Sequence, residues 1–420
     1  MNDTPQRLGR RTAARHGRLS APSPLARLLR VVGIAMACVL VAGVGVGAYM
    51  YWDLSSTFAA NAQQLDGQEE EPPDIGELVG EKGVDLLLTG LDICVWETRD
   101  RYGNRCSSDP ADYGEDGREL QAGRNDVNLL VHISPEPRKI TAIAFPRDLM
   151  IPTPECTDPV NGNVTYASDK KMINAMYSAG GLACVASTID ALTTPYDPEL
   201  KIDYAATITW DGVIEITDAI GGVEVCVEGT INDPDAGMLY LEEGEYTLQG
   251  DRALAFLRSR HGVGDGGDQG RISNQQVYMA SLARKLTSSD VLGNPGTMLS
   301  LARTVVTNVD PSSQLTPVTL VQIALAAKDV ETQDIVFLQY PTFPDPADAN
   351  RLVPDSDSAA ALFAALAAND SVDPTGKYLE TPETETPDPG ATVEPTDPAA
   401  PAPDLLGRTA DDTSCSQANN

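Results

Sequence analysis

Arginine side chains are gathered in a few places of this chain, and their grouping indicates an anion-binding site. Arg124 and Arg147 each lie beside an aspartate next to an apolar run, in GRND and FPRD. Within twenty further residues, around a glycine-rich loop, lie Arg252, Arg258, Arg260 and Arg271. The planar guanidinium forms bidentate hydrogen bonds to phosphate, which suits this purpose. The alternative is that each arginine forms a surface ion pair with a nearby acid: Asp126, Asp148, Asp251 or Asp268.

Two aspartates offer the complementary chemistry of cation binding. Asp92 follows the first apolar run at a glycine turn, and Asp126 opens the next one. If adjacent strand ends bring them together, they provide oxygen ligands for one Mg²⁺, which keeps waters and substrate phosphates as its other ligands. The alternative is that both are solvated turn residues. With only three histidines in the chain, a multi-histidine metal site is not expected.

The glycine-rich loop matches GxGxxG at Gly262, Gly264 and Gly267. A dinucleotide-binding loop follows a strand and opens a helix, whereas this loop follows a predicted helix and contains Asp265 and Asp268. Those carboxylates oppose a bare pyrophosphate, so the sequence argues against a Rossmann site.

Apolar patterning that persists over several elements is confined to residues 80–370. Period-two and short apolar runs predict strands at Val84–Gly90, Asp126–Ile133, Lys139–Phe145, Val223–Val227 and Asp334–Gln339. Helices are predicted at Lys171–Ala179, Ala183–Leu192, Asp251–Arg260, Ile272–Leu286, 296–307, 316–328 and Ser356–Ala368. This mixture predicts a three-layer α/β/α domain with a central mixed β-sheet.

The two ends of the chain differ from this domain in composition. Residues 1–30 are basic, and residues 31–52 are an uncharged apolar run long enough to span a bilayer. The positive-inside rule then predicts a cytoplasmic N-terminus, one transmembrane helix, and an extracellular chain that begins with a linker over 53–79. A cleaved signal peptide is the alternative, because Ala60–Ala62 resembles a cleavage site. Residues 371–420 are rich in proline and acids and predict an extended, solvated tail.

Because the chain carries a net charge of −31, we do not expect it to bind nucleic acid. Outside the apolar run there are six cysteines, and in an extracellular compartment an even number favours disulfides over metal ligands. The nearest pairs in sequence are Cys94/Cys106 and Cys156/Cys184, which leaves Cys226/Cys415 to tie the tail back to the domain. Six cysteines allow 15 pairings, so the connectivity stays open.

Seven ordered motifs together resemble the LytR-CpsA-Psr family over residues 82–288 and on toward 370. They are LLTGLD (Leu87–Asp92), GRND (Gly123–Asp126), FPRD (Phe145–Asp148), NAMYSAGG (Asn174–Gly181), IGGVEV (Ile220–Val225), LRSRH (Leu257–His261) and DQGRISNQQ (Asp268–Gln276). The basic N-terminal segment with a single apolar span is also similar to that family.

The resemblance implies a membrane-anchored, Mg²⁺-dependent phosphotransferase of the cell envelope. Such an enzyme moves an anionic glycopolymer from a polyprenyl-pyrophosphate carrier to a hydroxyl of peptidoglycan or of a surface glycoprotein. By the same resemblance, Asp92 and Asp126 are the metal ligands, and Arg124, Arg147 and Asp268 are catalytic, with Asp268 orienting the arginines. The implied pyrophosphate-binding set is Arg124, Arg147, Arg258, Arg260, Arg271 and Gln275.

Two positions depart from the family pattern. Asn274 and Cys94 each stand where an arginine is usual, and we expect the loss at Asn274 to weaken phosphate binding or to alter donor choice. The insertion between Asp92 and Asp126 is interpreted either as a lid at the edge of the site or as inert decoration. Two other functions are considered: a polyprenyl-pyrophosphate pyrophosphatase that admits water to the same site, and a non-catalytic module that binds or regulates the envelope.

Overall fold

The computed structural model describes residues 36, 42, 45, 47–60, 62–66, 68, 82–114, 117–120, 123–159, 161–374 and 405–419. Its strands are β1 Val84–Asp92, β2 Arg124–Ile133, β3 Ile140–Ala144, β4 Met150–Thr153, β5 Cys156–Thr157, β6 Val164–Thr165, β7 Ser168–Met172, β8 Tyr204–Thr209, β9 Val223–Glu228, β10 Ile231–Asp233, β11 Leu239–Leu241, β12 Gly244–Leu248, β13 Val309–Pro311, β14 Ile335–Gln339, β15 Thr342–Asp345, β16 Asp348–Pro354, β17 Gly407–Thr409 and β18 Ser416–Gln417. Its α-helices are α1 Met176–Thr193, α2 Trp210–Ala219, α3 Gly250–Arg258, α4 Asp268–Thr287, α5 Ser289–Leu292, α6 Pro295–Asn308, α7 Pro317–Ala327 and α8 Ser356–Ala367.

A seven-stranded sheet lies at the centre of the fold, in the order β13-β8-β1-β2-β3-β14-β17. β1 pairs antiparallel with β2 and parallel with β8, while β3 pairs antiparallel with β2 and parallel with β14. The prediction of a mixed α/β fold with a central mixed sheet is therefore confirmed. All five strands predicted from the sequence are present within a few residues of their predicted bounds.

Hydrophobic side chains on the two faces of the central sheet belong to different clusters. Leu87, Leu130 and Ile143 are completely buried in a cluster that includes residues of α1 and α8. On the other face, Leu86 belongs to a cluster with residues of α6 and α7. Because successive side chains of a strand point to opposite faces, helices pack on both faces of the sheet. Truncating one of the buried leucines to alanine typically costs about 2–5 kcal/mol.

The predicted helix at Lys171–Ala179 is wrong over its first half. Ser168–Met172 instead forms β7, which pairs with β4, and a 3-10 turn at Ile173–Ala175 leads into α1. Pairing with a neighbouring strand here overrides the local helical preference of the sequence. The predicted break at the glycine pair is present inside α1, where Gly181 has a φ of +69° and Gly180 is also non-helical.

The C-terminal residues 405–419 are part of the domain, so the prediction of a solvated tail is wrong there. Leu405 is buried, β17 extends the central sheet by pairing with β14, and β18 pairs with β9. Composition averaged over fifty residues concealed this short returning segment. The proline-rich stretch 375–404 lies outside the described residues.

Three disulfides hold loops of the domain: Cys94–Cys106, Cys156–Cys184 and Cys226–Cys415. This is the arrangement in which the two nearest pairs form and the remaining pair ties the C-terminus to the domain. The last of them joins β9 to the segment that carries β18, across a sequence separation of 189 residues.

The predicted transmembrane segment 31–52 lies largely outside the described residues. Residues 36, 42, 45 and 47–52 of it are helical. Met1–Asp53 and Leu54–Asn420 are separate compact units, and in the second unit Phe58 is almost completely buried. By length and hydropathy, one helical segment in the described part of the chain, Ile173–Thr193, could cross a membrane, but half of it is buried inside the domain.

A buried acidic cluster lies at the start of β1, at the opposite end of that strand from Asp92. Asp85 and His132 are both almost fully buried, and Asp85 Oδ1 lies 2.8 Å from His132 Nδ1. The Asp203 carboxylate accepts a hydrogen bond from the backbone NH of Asp85 at 2.9 Å. Burial, assisted by the charge of Asp85, raises the pKa of Asp203 to about 7, and burial raises the pKa of Asp190 to about 6.

The raised pKa of Asp203 predicts a stability that falls as the pH rises. The folded state binds a proton there more tightly than the unfolded state, so this contribution is complete below about pH 4 and is lost as the pH passes 7. We expect Asp203→Asn, which keeps an acceptor for the Asp85 NH, to stabilise the protein by about 1–3 kcal/mol at pH 8. Urea unfolding from pH 4.5 to 8 checks this, and the exposed Asp329→Asn is the control. A gain that does not shrink toward low pH would contradict the assignment.

The Cys226–Cys415 disulfide predicts a second stability effect. A bond that closes a longer loop removes more entropy from the unfolded chain, so Cys226→Ser/Cys415→Ser should lower the free energy of unfolding by about 3–5 kcal/mol. Cys94→Ser/Cys106→Ser, whose separation is only 12 residues, is the matched control and should lose less. Urea titration of the three proteins under oxidising conditions measures both losses. Equal losses, or none, would contradict the expectation.

Candidate active site

The two predicted metal ligands lie at one corner of the central sheet, where β1 ends and β2 begins. Asp92 is directly opposite Arg124 in the antiparallel register. The register then shifts, because Leu91 pairs with Asn125 and Gly90 pairs with Val127, which leaves Asp126 as the extra residue of a β-bulge. A bulge turns a side chain out of the regular alternation and is common beside active sites.

Each of these aspartates is contacted by an arginine. The guanidinium of Arg105 donates to Asp92 Oδ1 at 2.6 Å, and that of Arg147 donates to Asp126 Oδ2 at 3.1 Å. Burial raises the pKa of Asp92 above its usual range, the Arg105 charge lowers it, and the negative charge of Asp126 raises it further. The two carboxylates therefore lie close enough to repel each other, and the arginines offset that repulsion.

Arg258, at the end of α3, adds a third guanidinium to this corner. Its Cζ lies 4.2 Å from the ring centroid of Trp210, in a cation–π contact. Burial lowers the pKa of Arg258, whereas the negative charges of Asp92 and Asp126 raise it; the group stays charged at neutral pH. Trp210 is held at the first turn of α2, where Thr209 Oγ1 caps the helix by accepting from the Gly212 NH.

The insertion between β1 and β2 packs beside this corner. It is closed by Cys94–Cys106 and is fixed to α2 through the buried carboxylate of Asp211. That carboxylate accepts hydrogen bonds from Thr98 Oγ1 at 2.6 Å, Arg101 Nη1 at 3.2 Å and Tyr102 Oη at 2.9 Å. The insertion therefore lies at the edge of the site, and its role as a lid or as inert decoration stays a prediction.

The arginine-rich loop after α3 is shaped by one buried carboxylate, Asp233. Its Oδ2 accepts hydrogen bonds from Ser259 Oγ and from the backbone NH groups of Arg260, His261 and Gly262, at 2.8–3.2 Å. Burial alone would raise the pKa of Asp233, but these hydrogen bonds lower it below the usual range. The loop conformation thus depends on a carboxylate that stays ionised.

The C-terminal segment braces the same loop from the other side. The Gly264 NH donates to the Gln417 carbonyl at 2.9 Å, and the Asn419 NH donates to the Gly262 carbonyl at 3.0 Å. Asn419 Nδ2 also donates to the His261 carbonyl at 3.0 Å. Residues 417–419 therefore help position the loop that follows Arg258 and carries Arg260.

The sequence model of the LytR_cpsA_psr family matches residues 48–367. The chain belongs to this family. Among LytR-CpsA-Psr proteins, it is 28% identical over 242 residues to the cell wall biosynthesis protein LcpA of Corynebacterium glutamicum, which covers 54% of this chain and 44% of LcpA. It is 24% identical over 276 residues to the polyisoprenyl-teichoic acid–peptidoglycan teichoic acid transferase TagU of Halalkalibacterium halodurans, covering 65% of this chain and 77% of TagU.

Among solved structures, the fold is similar to that of protein gbs0355 from Streptococcus agalactiae. The TM-score is 0.52 at 20% sequence identity, and the match covers 71% of this chain and 90% of gbs0355. At this identity the likeness concerns the fold.

The other family-implied site residues lie at the start of β2, on the same loop and on α4. Arg124 is exposed at the start of β2, and Arg260 is exposed beside the Asp233 hydrogen bonds. Arg271 is almost completely buried near the start of α4, and Gln275 Nε2 donates to the Leu257 carbonyl at 3.0 Å. The side chain of Asp268 lies outside the described residues. Asp92, Asp126, Arg147 and Arg258 thus lie together at one corner of the sheet. The roles of all the family-implied site residues stay predictions.

Asn274, one of the two departures from the family pattern, is a structural residue in this chain. It is 2% exposed, its Nδ2 donates to the Phe256 carbonyl at 2.5 Å, and its Oδ1 accepts from Ser416 Oγ. The amide therefore joins α3 and α4 to the C-terminal segment. Since an arginine has no acceptor, it could not replace both contacts.

Sequence reasoning missed four residues that shape the site: Arg105, Asn125, Trp210 and Asp233. Asn125 is completely buried and ties β2 to the start of α1, donating to the Ile173 carbonyl and accepting from the Tyr177 NH, both at 3.1 Å. Two of them left a signal: Asn125 lies within the GRND motif, and Arg105 precedes Cys106, so pairing with Cys94 brings it beside Asp92. The others depend on contacts between segments distant in sequence.

The carboxylate oxygens at this corner suit Mg²⁺, which keeps water ligands, better than a metal ion whose ligands all come from the protein. Among the described residues, no group of three or more acidic, histidine or cysteine side chains is placed to enclose an ion. Two mutually repelling carboxylates suit a cation that keeps waters and binds substrate phosphates. In the described contacts, Arg105 and Arg147 engage one oxygen of Asp92 and one of Asp126, and the second oxygen of each carboxylate accepts no hydrogen bond.

The role of Asn274 predicts that the family arginine is harmful at this position. Asn274→Arg places a charge where an amide bridges Phe256 and Ser416, so the free energy of unfolding should fall by about 2–4 kcal/mol. Urea unfolding measures the loss. The exposed Arg252 lies on α3 away from the Asn274 amide, so Arg252→Ala is the control for a change of charge alone. An unchanged stability with tighter donor binding would instead support the sequence expectation.

Proposed function

We propose that this protein is a phosphotransferase that moves an anionic glycopolymer from a polyprenyl-pyrophosphate carrier to a hydroxyl of peptidoglycan or of a surface glycoprotein. Family membership and relatives named as cell wall biosynthesis proteins and teichoic acid transferases support this class of activity. The single observation that carries it is the convergence of Asp92, Asp126, Arg147 and Arg258 at one half-buried corner of the sheet.

The charges of this corner match a pyrophosphate better than a neutral sugar. Arg147 and Arg258 are held near the carboxylates, and Arg124 lies opposite Asp92 in the register. Guanidinium groups neutralise the non-bridging oxygens, and their fixed positions mean that little reorganisation is needed as charge develops. Asp92 and Asp126 would hold Mg²⁺, which supplies positive charge to the phosphate oxygens when bound.

The transfer itself needs positioning more than covalent chemistry. The acceptor hydroxyl oxygen forms a bond to the phosphorus that carries the glycan, and the bond from that phosphorus to the bridging oxygen breaks. Polyprenyl phosphate leaves with the bonding electrons, and the hydroxyl proton is released to solvent. Arg147 and Arg258 stabilise the charge on the transferred phosphoryl group and on the leaving phosphate. The pyrophosphate linkage provides the energy, so no nucleotide is required outside the cell.

The cellular arrangement belongs to the same proposal. Residues 1–30 would lie in the cytoplasm, 31–52 would span the membrane, and 53–79 would link the span to a three-layer catalytic domain over 80–370 outside it. Three disulfides among the described residues favour an oxidising compartment. The lipid carrier then lies in the membrane that anchors the enzyme.

Product analysis tests this function. The purified protein in detergent is incubated with Mg²⁺ and a synthetic polyprenyl-pyrophosphate oligosaccharide, with and without peptidoglycan fragments, and products are identified by mass. A phosphodiester between glycan and acceptor supports transfer. Free phosphorylated glycan as the only product would instead identify a pyrophosphatase, and donor binding without turnover would identify a non-catalytic module.

Arg147 offers the sharpest mutational test of the site. Replacing it by alanine removes one fixed positive charge from the reacting phosphates, so transfer should fall about 100- to 1,000-fold. Arg303→Ala, an exposed arginine on α6, is the matched control and should retain full activity. Unfolding in urea confirms that both variants are folded. Full activity of folded Arg147→Ala would remove this arginine from the site.

A further inference from the structure

Arg105 is an arginine of the insertion whose side chain lies inside the candidate active site. The disulfide between Cys94 and Cys106 folds the insertion back on the end of β1. Because Arg105 directly precedes Cys106, its guanidinium reaches the carboxylate two residues before Cys94. Arg105 Nη2 lies 2.6 Å from Asp92 Oδ1 and 3.3 Å from the Asp92 carbonyl oxygen.

The remaining contacts of Arg105 hold it near a second arginine. Its Cζ lies 5.6 Å from the ring centroid of Trp210, the ring that Arg258 contacts at 4.2 Å. The positive charge of Arg105 also contributes to lowering the pKa of Arg258, so the two guanidinium groups repel each other. Such a pair of like charges beside one aromatic ring is stabilised by a ligand that carries more than one negative charge.

Arg105 is also accessible to such a ligand. Its side chain is 40% exposed, whereas Asp92 beneath it is 23% exposed. Its other acidic neighbour, Glu119, is 3.8 Å away. The insertion that carries it is anchored on Asp211 by Thr98, Arg101 and Tyr102, so the guanidinium is positioned before a ligand arrives.

We propose that Arg105 is a binding residue for the pyrophosphate of the lipid-linked donor, delivered to the site by the disulfide-closed insertion. The proposal rests on the phosphotransferase function proposed above and adds a ligand that none of the seven motifs contains. It also gives the insertion a purpose: the insertion supplies positive charge beside Asp92, where Cys94 supplies none. In the absence of donor, Asp92 holds this guanidinium in place.

Binding of a soluble donor analogue tests Arg105 separately from turnover. The full-length protein in detergent is titrated with farnesyl pyrophosphate by calorimetry, in Mg²⁺ and again in EDTA, and farnesyl monophosphate is the comparison ligand. We expect Arg105→Ala to weaken pyrophosphate binding roughly tenfold and monophosphate binding less, because a charge-assisted bidentate contact is lost. Arg105→Gln keeps a hydrogen-bond donor to Asp92 but removes the charge, and we expect it to show the same loss of binding. It replaces the alanine variant in the test if that variant does not fold.

Arg99 provides the matched control in the same insertion. Its Cζ lies 3.6 Å from the ring centroid of Trp96, and none of its described contacts reaches Asp92 or Asp126. Arg99→Ala removes the same charge from the insertion and should leave pyrophosphate binding within about twofold of the wild type, because its described contacts are with Trp96 and Asp100 and not with the site carboxylates.

The outcomes separate this proposal from the proposed function. If Arg147→Ala weakens pyrophosphate binding but Arg105→Ala and Arg105→Gln do not, the site stands and the role of Arg105 is overturned. Tighter binding by the Arg105 variants would overturn it as well, because the arginine would then only compete for Asp92. If neither Arg147→Ala nor Arg105→Ala changes binding, both the proposed function and this inference fail.

Discussion

Two carboxylates confined at one corner of a sheet repel each other, and the arrangement of the site follows from that repulsion. The β-bulge that leaves Asp126 outside the regular register brings it near Asp92. Arginines then reach this corner from three different segments: the insertion, the loop after β3, and the end of α3. In the proposed function, the ion pairs inside this half-buried corner are exchanged for contacts to phosphate when the donor binds.

The arginine from α3 is positioned by structure far from it in sequence. Asp233 fixes the loop that follows Arg258, and residues 417–419 brace that loop from the other side. Asn274 joins the same segment to α3 and α4. Ionised Asp233 is central here, because its carboxylate accepts hydrogen bonds from three successive backbone NH groups of this loop.

The sequence predicted the strands of the domain better than the two short strands formed by its C-terminal residues. Strands such as Val84–Gly90 and Asp126–Ile133 were predictable because period-two and continuous apolar runs reflect burial directly. The returning strands β17 and β18 were not, since each is short and gains its stability only from pairing with β14 or β9. In the site, arginines and aspartates carried a compositional signal. Trp210 and Asp233 carried no such signal, because the role of each depends on contacts with residues that are distant in sequence.

The return of residues 405–419 also has a consequence for changes made far from the site in sequence. Removing this segment takes away both the strand that completes one edge of the central sheet and the contacts that brace the arginine loop. The side chain of Asn419 contacts the His261 carbonyl from 158 positions along the chain. The site loop therefore depends on residues that a comparison restricted to the motifs of the active site would leave out.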